Sequence, residues 1–153
     1  MNTYTDLITE LKDDEVFVFG ANLDGFHGAG AAGYATFGER GNVWRDHRYG
    51  KWPNGTKGRW NVKGQLGPQI GREGKSYALP TVVRAGMRRS LQPDFTPLYR
   101  CCNRNPNWKF YFAQTSQSGL NGWTAVELAT FMKRAGPIPA NLYIHQSLAP
   151  YLE

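Results

Sequence analysis

The 153-residue chain has only two cysteines, and these are adjacent, Cys101 and Cys102. Neighbouring cysteines are poorly placed to bridge each other and offer no repeated metal-ligand spacing, so no disulfide framework and no metal site is expected. They read as reduced thiols on a helix. No apolar run approaches the roughly 20 residues that span a membrane. The opening MNTYTDLITELKDDE lacks the basic-then-apolar order of a signal peptide. A fixed-period repeat and a low-complexity tail are also missing. No Ser or Cys sits in a nucleophile signature beside a histidine, and no carboxylate pair marks a general acid and base. Acidic residues are the scarcer charge, 12 against 18 Lys and Arg, for a net +6. With 41% hydrophobic residues the chain can bury one core, which points to a single cytoplasmic domain over 1–153 with no implied cofactor.

What is present begins with residues 16–32, VFVFGANLDGFHGAGAA. The run 16–19 is short, β-branched and aromatic, so it reads as a strand, and Gly20, Gly25, Gly28 and Gly30 then interrupt regular structure. The small residues after Gly28 suit a helix start pressed against its neighbours. A helix N-terminus carries unpaired N–H groups and about half a positive charge, which suits a phosphate, and glycines let it approach the backbone. GAGAAG at 28–33 matches the dinucleotide GxGxxG pattern literally. The inserted segment 22–27, and the want of a strand ending in Asp or Glu about 20 residues later, argue against a dinucleotide site.

A second unit of the same kind follows. Residues 108–115, WKFYFAQT, read as a buried strand, and 116–123, SQSGLNGW, as a glycine-containing loop. In TAVELATFMKR, Thr124 and Glu127 have capping-box spacing, and Val126, Leu128, Ala129, Phe131 and Met132 give an apolar side, so a helix is predicted directly after the loop. Phe95, Leu98, Tyr99 and Cys102 lie at helical spacings within 94–103, and 141–145, NLYIH, reads as a final strand before a closing turn over 146–152. Two strand-loop-helix units in a parallel sheet would bring both loops to the carboxyl ends of the strands, where open α/β folds bind ligands. Two facing loops would hold a pyrophosphate from both sides.

The pairing resembles the macro domain family, and in particular the short macro-like proteins of bacteria and phages. Three places carry the resemblance: Ala21-Asn22 at a strand end with Gly28 and Gly30 beyond it, KSYALPT at 75–81 as the strand entering the cleft, and 115–123 as the second phosphate loop. The resemblance implies a three-layer α/β/α fold with a mixed, largely parallel sheet, and ADP-ribose or a related nucleotide as ligand. The implied ligand-binding residues are Gly20, Ala21, Asn22, Gly28, Ala29, Gly30, Thr81, Ser116, Ser118, Gly119, Leu120, Asn121, Gly122 and Trp123. Asn22 would orient the distal ribose, although Asn also commonly stabilises a turn. Trp123 would pack on the sugar or anchor the helix. Hydrolysis of ADP-ribose from a modified molecule would use a positioned water, Asn22, and proton transfer by His27 or Asp24. Three departures stand out, the first being His27, which occupies a place where a glycine is common. Ala32 lies where the hydrolase branch often carries an acid, and only about a turn of helix, 6–12, is expected before the first strand in place of an early strand pair.

Residues 40–63 are the least regular segment, with seven Lys or Arg, one Asp46, and Trp44, Trp52 and Trp60. A long insertion of this kind is often a lid or a binding surface. Arg45, Arg48, Lys51, Lys57 and Arg59 would attract phosphates while exposed aromatics stack on bases. A solvated basic face with Trp at the core edge is the plainer reading. Three functions therefore stand at this point: an ADP-ribosyl hydrolase, a non-catalytic reader of an ADP-ribose-type signal, and a nucleic-acid-binding protein.

Overall fold

A computed structural model describes residues 1–6, 8, 12, 14–22, 66–68, 75–84, 86–114 and 120–153. In chain order its elements are β1 (Asn2–Tyr4), β2 (Glu15–Asn22), β3 (Leu66–Pro68), β4 (Lys75–Val82), α1 (Thr96–Arg104), β5 (Lys109–Phe112), α2 (Ala125–Arg134) and β6 (Leu142–His145), closed by a 3₁₀ turn, Ala149–Tyr151. The described strands form one sheet in the order β1-β6-β5-β2-β4-β3. Five strands run parallel, and β3 is antiparallel to β4 at one edge. The chain is therefore an α/β protein with a mixed, largely parallel sheet.

Strand register follows from where apolar side chains can be buried. Val16 lies beside Phe110, and Phe110 beside Leu142, while Tyr77, Val18 and Phe112 make the next row across β4, β2 and β5. These rows face α1 and α2, which contribute Phe95 at the helix entry, Leu98, Tyr99, Cys102, Leu128, Ala129 and Met132 to the same core. On the other face Phe17, Phe19, Ala21, Ala78 and Ala113 cluster, with Ile8 and Tyr111 against them. Residues from Val16 to the end of β2 are thus buried on both faces, as expected of a central strand in a parallel sheet. Burial at period 2 makes a one-residue slip costly, because it would turn each inward side chain out.

The helices form for local reasons. Pro97 stands in the first turn of α1, where a missing N–H costs nothing, and the Asp94 carboxylate accepts from the Thr96 N–H at 3.0 Å. At the far end of α1, the Asn141 amide donates to the carbonyls of Cys102, Asn105 and Trp108, each at 3.0 Å, and so joins the helix exit to the start of β6. The predicted capping box of α2 is formed: the Thr124 hydroxyl accepts from the Glu127 N–H, and the Glu127 carboxylate accepts from the Thr124 N–H. Cys101 and Cys102 are free thiols on α1, and burial pushes the Cys102 thiol up to about 12.

Several expectations need correction. A strand, β1, precedes β2, although only a helical turn was expected there; it pairs with β6, and the Tyr4 hydroxyl donates to the Phe112 carbonyl. Strand β5 spans Lys109–Phe112, with Trp108 outside it, because pairing to β2 and β6 covers only this stretch. Val126, assigned to the apolar side of α2, is 57% exposed, since that side is set by Leu128, Ala129 and Met132. The segment 40–63 and most of 6–12 lie outside the described residues. No helix among the described residues is long and apolar enough to cross a membrane.

Candidate functional site

Parallel pairing brings the carboxyl ends of β2, β4 and β5 to one edge of the sheet. From β2 the chain goes on to β3 and β4 on one side, and from the adjacent β5 it goes on to α2 and β6 on the other. Neighbouring parallel strands whose continuations diverge leave a crevice outside their carboxyl ends, the usual ligand position in open α/β sheets. Both predicted loops leave from these two strands.

Thr81 ties the edge together. The β2/β4 register shifts between Ala21 and Asn22, with Ala21 opposite Pro80 and Asn22 opposite Val82, so Thr81 has no partner across the pair. Such irregularities re-aim a side chain, and they are frequent beside binding sites. They also accommodate Pro80, since β3 accompanies β4 only as far as Tyr77. The fully buried Thr81 hydroxyl donates to the Ala21 carbonyl at 3.3 Å and accepts from the Asn121 amide. Its carbonyl accepts from the Trp123 indole N–H at 2.9 Å. Ala21, Thr81, Asn121 and Trp123, from three parts of the chain, therefore meet in one hydrogen-bonded knot.

The Asn121-Gly122 pair makes the turn that enters this knot. Leu120 and Trp123 exchange backbone hydrogen bonds at 2.8 and 3.0 Å, and both central residues have positive φ, 49° at Asn121 and 88° at Gly122. Asn-Gly is the sequence best suited to such a turn, because both residues tolerate the left-handed region. Leu120 lies over Gly20, where an added Cβ would come within 2.8 Å of the Leu120 Cγ. Gly20, Ala21, Asn22, Thr81, Leu120, Asn121, Gly122 and Trp123 all belong to elements that reach this edge. Asn22 is buried there. Asp24, His27, Gly28, Ala29, Gly30, Ser116, Ser118 and Gly119 lie outside the described residues, as do Arg45, Arg48, Lys51, Lys57 and Arg59.

Arg89 and Glu127 complete the edge, and neither was expected as part of it. The Arg89 N–H donates to the Asn121 carbonyl at 3.0 Å, and its guanidinium donates to the Gly122 carbonyl at 3.3 Å. The same guanidinium pairs in bidentate fashion with Glu127, with one bond at 2.7 Å, and lies 4.8 Å from the centre of the Trp123 ring. Trp123 also meets Phe131 edge-on at 5.3 Å. These contacts make Trp123 an anchor of the turn and of α2, one of the two roles that its sequence context left open. The signals readable from sequence were the Asn-Gly dipeptide and the acid at 127. Their partner Arg89 lies 38 residues before Glu127, beyond the reach of any local pattern.

The Arg89 partner, together with the Thr124 N–H, holds the Glu127 carboxyl down at about 2 from its ordinary 4.5. A carboxyl depressed in the folded state adds stability above the unfolded pKa and loses it as the acid form is reached. The melting temperature of the wild-type protein is therefore expected to exceed that of Glu127→Gln at neutral pH. The gap should close as pH falls from about 4.5 toward about 2. A gap that stays constant across that range would show that the ion pair contributes nothing.

The edge as a whole defines an α/β protein with ligand-site topology at the β2/β5 divergence. In sequence comparisons no family model matches the chain, and no curated protein is significantly similar to it.

Proposed function

We propose that this carboxyl edge belongs to a macro-like, three-layer α/β/α domain and binds ADP-ribose or a closely related nucleotide. The observation that carries the reading is the Thr81 knot, which fastens the end of the second loop to the end of β2 at the divergence of β2 and β5. A ligand with two phosphates and two riboses suits such a place, since backbone N–H groups of two loops meet the pyrophosphate while Asn22 orients a ribose. The order of the Ala-Asn strand end, the 75–81 strand and the 115–123 loop, on which the resemblance rests, supports the same reading.

Calorimetric titration with ADP-ribose, beside AMP, tests it. Saturable binding of ADP-ribose that is stronger than that of AMP is expected, with Asn22→Ala weakening it by about 10- to 100-fold, the loss of one or two polar contacts. Circular dichroism of the variant separates lost contact from lost fold. Absence of ADP-ribose binding by the folded wild-type protein would overturn the reading. Release of ADP-ribose from a modified substrate by the same sample would make the protein a hydrolase, and tight binding without turnover would make it a reader.

A further inference from the structure

The turn that follows β4 carries three arginines within six positions, Arg84, Arg88 and Arg89, and its folding treats them differently. The Met87 N–H donates to the Arg84 carbonyl at 3.2 Å, and Gly86 supplies the positive φ, 83°, that such a turn needs in its third position. The Val83 N–H donates to the Ser90 hydroxyl at 2.8 Å and closes the neck. Arg89 has φ 51°, a left-handed conformation that is unfavourable for a long side chain. This conformation turns its guanidinium back onto Glu127 and Trp123. Arg89 and Asn121 are the two non-glycine residues with positive φ among the described residues, and one hydrogen bond joins them. Backbone strain of this kind, of order 1–3 kcal/mol for each residue, concentrates at functional sites.

With Arg89 paired to Glu127, Arg84, Met87 and Arg88 are also exposed on this turn. Among the described residues neither Arg84 nor Arg88 has a side-chain hydrogen bond or an ion pair, since the salt bridge here is Arg89–Glu127. Arg88 also lies against the Asn-Gly turn: an added Cβ at Gly122 would meet the Arg88 Cβ at 3.1 Å and its Nε at 3.4 Å. Two exposed guanidiniums without an ion-pair partner among the described residues thus lie close together beside the candidate cleft.

We infer that Arg84 and Arg88 form a phosphate-binding rim that holds the backbone of a nucleic-acid strand against this edge. All three cations of the turn are arginines, whose planar fork matches phosphate oxygens two at a time. The net charge of +6 and pI near 9.5 favour approach of an extended polyanion over a short acidic segment. The exposed Met87 between them offers an apolar contact for a base or sugar. The inference goes beyond the nucleotide reading of the cleft and does not depend on it.

The test is fluorescence anisotropy of a labelled 20-nucleotide oligothymidylate over a potassium chloride series, with wild-type protein, Arg84→Gln, and Arg84→Gln/Arg88→Gln. Each phosphate contact to a single strand contributes about 0.7 to the slope of log affinity against log salt, so the double variant is expected to have a slope shallower by about 1.4. Its affinity at low salt should be lower on the order of tenfold, with the single variant between. An unchanged slope and affinity in the double variant, or no binding by the wild type at low salt, overturns the inference. Equal competition by polyglutamate would overturn the nucleic-acid assignment in favour of an acidic peptide. The single variant guards against misfolding of the double one, since Arg84 is exposed and lies outside the knot.

Discussion

Trp123→Ala is expected to lower stability by about 3–5 kcal/mol, the range for removing a buried large aromatic. Trp123 is 9% exposed and serves three partners at once. Its ring meets Phe131, its face carries Arg89, and its N–H satisfies the buried carbonyl of Thr81. Alanine would open a cavity under the turn and strand that carbonyl. Trp123→Phe separates the two losses, because it restores most of the packing but not the donor, and its expected cost is about 1–3 kcal/mol. Urea unfolding of both variants reads these values. A Trp123→Ala protein within about 1 kcal/mol of wild type would mean that the knot is not what holds α2 to the edge. The same variants should weaken nucleotide binding, since the 120–123 turn would no longer be held against β4.

Gly20→Val should be nearly as damaging for the opposite reason. Gly20 sits on the helix-facing side of β2, opposite Leu79, and the place of its side chain is taken by Leu120. Even one carbon there would lie 2.8 Å from the Leu120 Cγ and 3.0 Å from each Cδ. The Leu120 backbone is tied by two bonds to Trp123, so relief of the clash requires a rotamer change at Leu120 or opening of the turn. Overpacking of this sort typically costs about 1–3 kcal/mol. A double-mutant cycle is the decisive form of the experiment: Gly20→Ala alone is destabilising, and adding Leu120→Ala should recover part of the loss, because the clash is gone. Strict additivity of the two substitutions would contradict the contact.

Much of the fold is legible because it is local. The capping box at Thr124 and Glu127 depends on two residues three apart, and it forms as its spacing predicts. Phe95, Leu98, Tyr99 and Cys102 recur at helical spacing and are all buried. Strand β2 contains the apolar run 16–19 but continues through Gly20, where a break was expected, to Asn22, because β4 pairs with it along that length. Strand β4 covers the 75–81 strand that the resemblance implied, and the two loop origins fall on the same edge because β2 and β5 are parallel. By contrast, β1 has only three residues, two of them exposed, and no apolar alternation. It is a strand because β6 offers it a partner about 140 residues away. The His145 ring holds that junction: its Nδ1 accepts from the Ser147 N–H at 3.1 Å, which leaves Nε2 to donate to the Thr5 carbonyl at 3.0 Å.

The candidate site divides in the same way. Ala21, Asn22 and Thr81 were readable as strand ends and 116–123 as a glycine-containing loop, each from a few neighbouring residues. That Thr81 would join Ala21 to Asn121, that Leu120 would fill the space above Gly20, and that Arg89 would pair with Glu127 were decided by packing. The sequence by itself determined the helices and the central strands, because these follow from periodicity, capping and backbone preference within a few residues, whereas the edge strands β1 and β3 were set by their partners. Only the tertiary structure decided which of those ends meet and which charges are left unpaired, because that depends on sheet order and on contacts between residues tens of positions apart.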